Sequence, residues 1–323
     1  MSTEHAAGSP IPVILDVDTG IDDALALLLA AKSPALDLLA VSCVSGNAPV
    51  DQVVRNTLKV LDAAGATDVP VARGADRPLL EPPRDARHMH GDDGMGDLGL
   101  ADSARTPVDM HAIELMRTTL ESATRPVTLV PLAPMTNVAL LLRAYPHVAE
   151  NMERILFMGG AAAIGNATAA AEFNVWHDPE AAGIVLTSGL PVTMYGLDVF
   201  YEVTIDEAGA AGLVASPDPA AQLAGRLLQR QQWQHIATIG DAGAVAAVIE
   251  PDGLTTSRYP VRIELADTWT RGQTLVDRRS WAGDLEHDPH GLPAAIVDVA
   301  LRVDADRYRA LFLDTLSRSS TSA

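Results

Sequence analysis

The stretch that decides the fold is ILDVDTGIDDALALLLAA, residues 14–31, in which an apolar run of strand type leads directly into a run of helix type. Between the two runs the chain places Asp16, Asp18, Asp22 and Asp23. Four carboxylates at such close quarters repel one another, so the folded protein must contain something that offsets their charge. A strand that passes through acidic residues into a helix is typical of an α/β fold with a ligand site at the strand end.

Short apolar runs and helical patterns alternate along most of the chain. Each predicted strand is rich in Val, Ile or Leu and is bounded by turn residues. This alternation predicts an α/β fold with a doubly wound, mostly parallel sheet, in a single domain over residues 10–315 with disordered tails at 1–9 and 316–323. The predicted strands are 11–16, 38–44, 126–131, 154–158, 191–195 and 260–265, and the predicted helices are 22–32, 50–64, 109–122, 136–144, 178–188, 219–234 and 241–249.

The composition is that of a globular protein and limits its partners. Hydrophobic residues make up 48% and charged residues 20% of the 323 residues, which is enough apolar material for a large core. The net charge of −19 argues against a nucleic acid or an anionic membrane as partner, because both need a positive face. The single cysteine, Cys43, cannot form an internal disulfide, and the first residues lack a signal-peptide pattern. We therefore expect a soluble cytoplasmic protein.

Helix capping explains only part of the aspartate cluster. Asp22 could cap the helix and Asp23 could lie in its first turn, each with a stabilisation of about 1 kcal/mol. Capping leaves the acidic strand end, Asp16 and Asp18, unexplained. A hard divalent cation accounts for all four residues, because it binds several carboxylate and carbonyl oxygens and neutralises their repulsion. The segment therefore predicts a metal site at the carboxyl end of the first strand.

Two kinds of metal-dependent chemistry fit an Asp-x-Asp pair that follows a strand. The first is that of Mg²⁺-dependent phosphatases of the haloacid dehalogenase type, which usually have a lysine near the phosphate. The only lysines, Lys32 and Lys59, fall within apolar-patterned helices, where solvated or snorkelling side chains are the simpler interpretation. Thr19 also comes one position too early for that family's pattern, and no P-loop motif is present. The phosphatase is therefore the weaker interpretation.

The second kind of chemistry is indicated by a family resemblance that extends well beyond the first motif. DVDTGIDDALAL resembles the opening motif of the nucleoside hydrolases, the inosine–uridine preferring family that cleaves the N-glycosidic bond of ribonucleosides. Further motifs follow in the family order over most of residues 11–280. The resemblance implies a Rossmann-like fold and hydrolysis of a small-molecule ribonucleoside to ribose and free base. These motifs are VSGN at 44–47, HGDDGMG at 90–96, PLAPMTNVA at 131–139, FMGGA at 157–161, the highly specific GNATAAAEFNVWHDPEAA at 165–182, and TRGQTLVDRR at 270–279.

The resemblance also implies one Ca²⁺ ion at the base of the pocket. Oxygen ligation of this kind leaves coordination positions for a water and the ribose hydroxyls. Asp18 would act in addition as the general base that takes a proton from the bound water. Asp16 would support the site, and Asp22 would reach a ribose hydroxyl. The matching positions supply three carboxylate ligands and one backbone carbonyl: Asp18, Asp23, Asp241 and Leu132.

Five further positions match family residues that surround the ribose. Amide side chains both donate and accept hydrogen bonds, which suits a sugar edge lined with hydroxyls. Turn formation is an alternative for Asn47 and Asn166, since each follows a glycine, and core packing is an equal alternative for Met158 at a strand end. The five positions are Asn47, Met158, Asn166, Glu172 and Asn174.

One position departs from the family pattern. Base-unspecific members place a histidine directly before the closing aspartate to protonate the leaving base, and purine-specific members carry a tryptophan nearby, whereas this chain has Gly240. The leaving base must still be met by protonation or hydrogen bonding. Trp233 and His235 precede the closing aspartate as substrate-binding candidates, although core packing and a surface position are their simpler interpretations. His90, in the matched HGDDGMG loop, is the remaining catalytic candidate.

Three functional interpretations follow from these residues. The first is a Ca²⁺-dependent ribonucleoside hydrolase with altered base preference, acting on a purine or a modified base. The second is a nucleoside- or ribose-binding relative with little turnover, which the retained Asp18 disfavours, and the third is the phosphatase. Under the first, residues 73–107, a segment rich in Gly, Pro and Asp, would close over the pocket as a lid. The resemblance further implies a homodimer or homotetramer.

Overall fold

Strands and helices alternate along the chain. The structure is a computed structural model that describes residues 9–232, 237–266, 269–280 and 294–318. Its strands are β1 (Ile11–Val17), β2 (Leu36–Cys43), β3 (Val71–Arg73), β4 (Val127–Pro131), β5 (Met152–Met158), β6 (Val192–Tyr195), β7 (Leu254–Ile263), β8 (Thr274–Val276) and β9 (Ala295–Val303). Its α-helices are α1 (Ile21–Lys32), α2 (Val50–Ala64), α3 (Arg87–His90), α4 (Ala112–Ser122), α5 (Thr136–Ala144), α6 (Phe173–His177), α7 (Pro179–Leu186), α8 (Leu197–Phe200), α9 (Glu207–Val214), α10 (Pro219–Gln232), α11 (Ala242–Ile249) and α12 (Ala305–Ser317).

The strands of the described ranges form one sheet in the order β3-β2-β1-β4-β5-β6-β9-β7-β8. Neighbours from β3 to β9 in this order pair in parallel, whereas β7 runs antiparallel to both β9 and β8. The predicted single-domain, doubly wound and mostly parallel sheet is therefore confirmed, with an antiparallel edge added to it.

The point where the strand order reverses lies beside β1. From β1 the chain winds outward through β2 to β3, and it then returns to place β4, β5 and β6 on the other side. In open sheets of this kind, ligands bind outside the carboxyl ends of the strands at the point of reversal. Asp16 marks this point, because it pairs with Ser42 of β2 on one side and with Pro131 of β4 on the other.

Alternation along β1 divides the core into two layers. Val13, Leu15 and Val17 pack on the face that α1 and α2 cover, whereas Ile14 faces the layer formed by α4, α5 and α7. Helix α1 is buried almost all round because α2, α11 and α12 also contact it, which explains its nearly uniform apolar sequence. Even so, no helix within the described ranges combines the length and apolar character needed to cross a membrane.

The sequence prediction missed elements at the edges of the sheet. Strands β3 and β8 have three residues each, which is too short for a detectable alternation. The predicted strand 260–265 corresponds to the second half of β7, because the first half is polar and exposed. Helix α12 ends at Ser317, two residues into the predicted C-terminal tail.

The segment predicted to act as a lid is hydrogen-bonded at several points to the loops and helices that follow the strands. The backbone N–H of Ala75 donates to Asn137 Oδ1 (2.9 Å), and that of Leu79 donates to Asp178 Oδ2 (2.9 Å). The N–H of Ala86 donates to the carbonyl oxygen of Asn47 (3.1 Å), just before the short helix α3. These bonds hold residues 84–90 beside the carboxyl end of β2.

Candidate active site

A cavity of about 640 Å³ opens at the carboxyl ends of β1, β2, β4 and β5. Its polar floor is formed by residues that follow these strands, and its mouth is formed by residues 84–90 and several aromatic side chains. The volume is typical of a small-molecule site. Of the predicted site residues, those that line it are Asp22, Asn47, His90, Leu132, Met158, Asn166, Glu172, Asn174 and Asp241.

Three acidic side chains meet at the floor. One carboxylate oxygen from each of Asp22, Asp23 and Asp241 lies within 4.8 Å of the others. Asp23 accepts hydrogen bonds from the backbone N–H of Asp18 (3.1 Å) and of Gly20 (3.0 Å), because its side chain, in the first turn of α1, reaches back to the residues that precede the helix. Oδ1 of Asp22 and Oδ1 of Asp241 are buried without a hydrogen-bond partner in the described part of the chain. Two oxygens are therefore free to bind a cation.

The negative charges of the buried carboxylates at this floor must be neutralised. Burial and the charge of Asp22 raise the pKa of Asp23 to about 7. Burial, followed by the charges of Asp22 and Asp23, raises the pKa of Asp241 well above its ordinary range. An oxygen-only set of this charge suits a hard divalent cation, which would restore the ionised form of each carboxylate. The donor set therefore fits a metal ion.

Asp18 lies next to the three-carboxylate group and is held by Asn47. The backbone N–H of Asn47 donates to Asp18 Oδ2 (2.7 Å), and its side-chain amide donates to Asp18 Oδ1 (3.1 Å) and to Asp23 Oδ2 (3.1 Å). A Cβ atom at Gly46 would lie 1.9 Å from Asp18 Oδ2, so only glycine leaves room for this carboxylate. Asn47 was predicted to bind ribose; here it also positions the predicted base.

The carbonyl oxygen of Leu132 is hydrogen-bonded to Asn174, which was predicted to bind ribose. Asn174 Nδ2 donates to the carbonyl oxygens of Leu132 (2.9 Å) and Met158 (3.1 Å), which joins the ends of β4 and β5. A carbonyl oxygen has a second lone pair, so Leu132 can still serve as a ligand. Asn174 therefore has a structural role in addition to the predicted contact with ribose.

Glu172 caps the short helix α6 at the cavity wall. Its carboxylate accepts hydrogen bonds from the backbone N–H groups of Gly160 (2.9 Å), Asn174 (2.9 Å) and Val175 (3.1 Å). Burial nevertheless raises the pKa of Glu172 to about 7. Asn166 Oδ1 accepts from the N–H of Phe173 (2.9 Å), which fixes the amide of Asn166 beside the same wall.

Asp16 is buried beneath the site and does not line the cavity. Its Oδ1 accepts hydrogen bonds from the Ser42 hydroxyl and from Asn137 Nδ2 (2.9 Å). Asn137 also donates to the carbonyl oxygen of Cys43 (3.0 Å), so the group links β1, β2 and α5. Such a location is consistent with the predicted supporting role. Ser42 and Asn137 were missed as its partners.

His90 lies at the cavity wall with its tautomer fixed by the backbone. Its Nδ1 accepts a hydrogen bond from the N–H of Ile21 (3.1 Å), so the neutral ring carries its proton on Nε2. Burial lowers the pKa of His90. The other two leaving-group candidates, Trp233 and His235, lie outside the described residues.

The backbone explains why glycine precedes Asp241. Gly240 has a φ of +52°, a conformation that side chains with a Cβ rarely adopt. An added Cβ would lie 2.7 Å from Asp22 Cβ and 2.9 Å from Phe200 Cζ. A histidine at this position would therefore displace Asp22 from the floor.

Several residues at the cavity mouth were missed as site residues, among them one arginine and four aromatic residues. Arg84, Phe173, Trp176, Phe200 and Tyr201 all line the cavity. Phe173 and Trp176 lie inside the matched motif at 165–182, but nothing in their spacing separates a cavity wall from core packing. The lysines that phosphatase chemistry would need are elsewhere: Nζ of Lys32 contacts Asp218 (2.6 Å) and Nζ of Lys59 contacts Asp102 (2.8 Å).

Comparison with known proteins decides the family. The model of the family described as inosine–uridine preferring nucleoside hydrolase matches residues 13–310. The chain belongs to this family. Nucleoside hydrolases act on the N-glycosyl bond of ribonucleosides and are in general metal-dependent, so the predicted family and enzyme class are confirmed.

Relatives within the family differ in the base that their names give. The pyrimidine-specific ribonucleoside hydrolase RihA of Shewanella woodyi is 38% identical over 316 residues, which cover 95% of this chain and 97% of that protein. A purine-preferring ribonucleoside hydrolase from Gardnerella vaginalis has a TM-score of 0.84 at 29% identity, over 95% of this chain and 98% of that one. A plant nucleoside hydrolase, PpNRh1, has a TM-score of 0.86 at 30% identity, over 96% of this chain and all of that one. Membership of the family is thus compatible with either class of base.

Proposed function

We propose that this protein hydrolyses the N-glycosidic bond of ribonucleosides with the help of a bound Ca²⁺ ion. The observation that carries the proposal is that Asp22 and the two predicted ligands Asp23 and Asp241 meet at the floor of a nucleoside-sized cavity. The ion would be held by Asp23, Asp241, Asp18 and the carbonyl oxygen of Leu132. When bound, it would acidify a coordinated water and hold ribose hydroxyls.

Asp18 takes the proton of the attacking water. Asn47 donates to both oxygens of Asp18, so the carboxylate is fixed before substrate arrives and loses little freedom in the reaction. The empty side-chain position at Gly46 allows this close approach. Positioning of a base in this way is the ordinary requirement for proton transfer in a hydrolytic site.

The ribose binds where Asn166, Asn174 and Glu172 line the cavity. Cleavage of a glycosidic bond passes through a transition state with oxocarbenium character, in which positive charge develops on the sugar. The carboxylate of Glu172 and the oxygens of Asn166 and Asn174 stabilise this charge. Asp22 accepts a hydrogen bond from a ribose hydroxyl, and His90 donates one from Nε2 to the substrate.

The experiment that tests this function measures ribose release from inosine, adenosine, guanosine, uridine, cytidine and p-nitrophenyl riboside. We expect turnover that a calcium chelator abolishes and that Asp18→Asn lowers at least 100-fold. Asp37→Asn, which changes an exposed aspartate of β2, is the matched control and should retain full activity. Calcium-dependent nucleoside binding without ribose release would instead identify a binding protein, and phosphate release from a nucleotide would support the phosphatase.

We also propose that the protein assembles as a homodimer or homotetramer, an expectation supported by the family resemblance. Sedimentation equilibrium of the purified chain measures the mass directly. A single species at the monomer mass of 34.0 kDa, over a wide range of protein concentration, would contradict this proposal.

A further inference from the structure

Arg84 lies over the indole ring of Trp176 at the mouth of the cavity. Its guanidinium carbon is 4.1 Å from the centre of the indole ring, and both side chains line the cavity beside Phe173. Trp176 is supported from behind by the loop at Gly272, where an added Cβ would lie only 2.7 Å from Trp176 Cα. This cation–π contact holds the guanidinium over the indole ring.

Most of the hydrogen-bonding capacity of Arg84 is unused. Within the described ranges its guanidinium has one hydrogen bond, from Nη2 to Glu81 Oε2 (3.2 Å). Glu81 is itself shared with Arg271 (3.4 Å), which pairs more closely with Glu180 (2.7 Å). Because a guanidinium carries five N–H donors, several remain for a ligand in the cavity.

The two ends of the cavity differ in charge. The floor is acidic, and among the described residues that line the cavity Arg84 is the one with a permanently positive side chain. The metal-binding carboxylates and the amides at the floor suit the ribose, whose hydroxyls bind to both. A nucleoside that places its ribose there directs its base towards the mouth, where Arg84, Phe173 and Trp176 lie.

The leaving base needs a partner at this mouth. When the C1′–N bond breaks, its electron pair stays on the base nitrogen, and the base departs with a negative charge. Gly240 has no side chain to offer, and the site has no room for one, because its φ is +52° and a Cβ would meet Asp22 and Phe200. The partner must therefore come from another element.

We infer that Arg84 is a catalytic residue that binds the departing base and stabilises its negative charge, an inference that rests on the proposed function. The water oxygen forms the new bond to C1′, its proton goes to Asp18, and the base anion later takes a proton from solvent. A cation held beside a developing anion in a partly enclosed site lowers the barrier directly.

The test compares Arg84→Met and Arg84→Lys on substrates that differ in their need for leaving-group stabilisation. Uridine has a poor leaving group, 5-fluorouridine a better one, and p-nitrophenyl riboside one that leaves without assistance. We expect Arg84→Met to lower kcat on uridine about 100- to 1000-fold, less on 5-fluorouridine, and less than about tenfold on p-nitrophenyl riboside. Arg84→Lys keeps the charge but loses the planar fork, so it should recover part of the loss.

Arg77→Met is the matched control, because Arg77 lies on the same segment, is exposed and does not line the cavity. Retained turnover of p-nitrophenyl riboside shows that each variant still folds around its metal site. An equal loss on all three substrates would overturn the inference, because Arg84 would then only hold the segment that carries His90. An unchanged rate on uridine would also overturn it. If the wild type releases ribose from none of the three, the proposed function fails, and this inference fails with it.

Discussion

His177 provides a quantitative test of the packing beneath the site. It lies in α6, the helix that carries Asn174, is fully buried, and has no hydrogen-bond partner for either ring nitrogen among the described residues. Burial disfavours the charged ring and lowers the pKa of His177 from 6.5 to about 4. Between these two values the unfolded chain therefore binds more protons at this position than the folded protein does.

The sign of the pH dependence follows from this difference. The contribution to stability is fully present above pH 6.5 and is lost as the pH falls towards 4, because protonation then favours the unfolded chain. At about 1.4 kcal/mol per pKa unit, the full loss is about 3 kcal/mol, of which about 2 kcal/mol is lost by about pH 5. His177→Leu, which nearly conserves volume, removes the titrating group and with it this loss.

The assay is urea unfolding of the wild type and of His177→Leu at several pH values from about 7.5 to 5. We expect the difference in unfolding free energy between the two to shift in favour of the variant by about 2 kcal/mol as the pH falls. Val175→Ala, at a buried position of the same helix without a titrating group, is the control and should give a constant offset. A constant difference for His177→Leu would refute the reasoning, since it would mean that His177 titrates alike in both states.

Three further predictions concern the site itself. Gly46→Ala should displace Asp18 and lower kcat about 100-fold, whereas Gly183→Ala, where a Cβ meets nothing within 4 Å, should leave kcat unchanged; steady-state kinetics would show whether the two differ. Gly240→His should lower both the unfolding midpoint and kcat, because the strained backbone and the contact with Asp22 outweigh any gain in acid catalysis; a raised kcat on natural nucleosides would contradict this. Calcium at 100 times its dissociation constant should stabilise the chelated protein by about 2.7 kcal/mol, as measured by thermal unfolding; an unchanged Tm would contradict the metal site.

Most of the fold could be predicted from the local pattern of apolar residues in the sequence. Strand–helix alternation predicted the parallel sheet because each element there buries at least one face, and the apolar α1 is typical of a helix covered on all sides. Strand β9 was missed although it lies inside the sheet, since Asp298 and Arg302 interrupt its apolar pattern. The short edge strands lack enough residues to show any period.

Without the family resemblance, the candidate site could be predicted only where function concentrates unusual residues in one segment. Four aspartates between a strand and a helix predict an ion because like charges need compensation, and the structure brings Asp22 and Asp23 together with Asp241. The partner of Trp176 could not be inferred, because Arg84 reaches it through the packing of a loop without periodicity. The reason for glycine at position 240 could not be inferred either, because the positive φ of Gly240 is a property of the folded backbone.

The measurement that tests the central claim most directly is a calcium titration of the chelator-treated protein, with binding followed by calorimetry and ribose release followed in the same samples. The account predicts that activity rises in step with the binding of one Ca²⁺ per chain, and that Asp241→Asn loses both together. Full activity before calcium is added, or unchanged calcium binding and activity in Asp241→Asn, would contradict it.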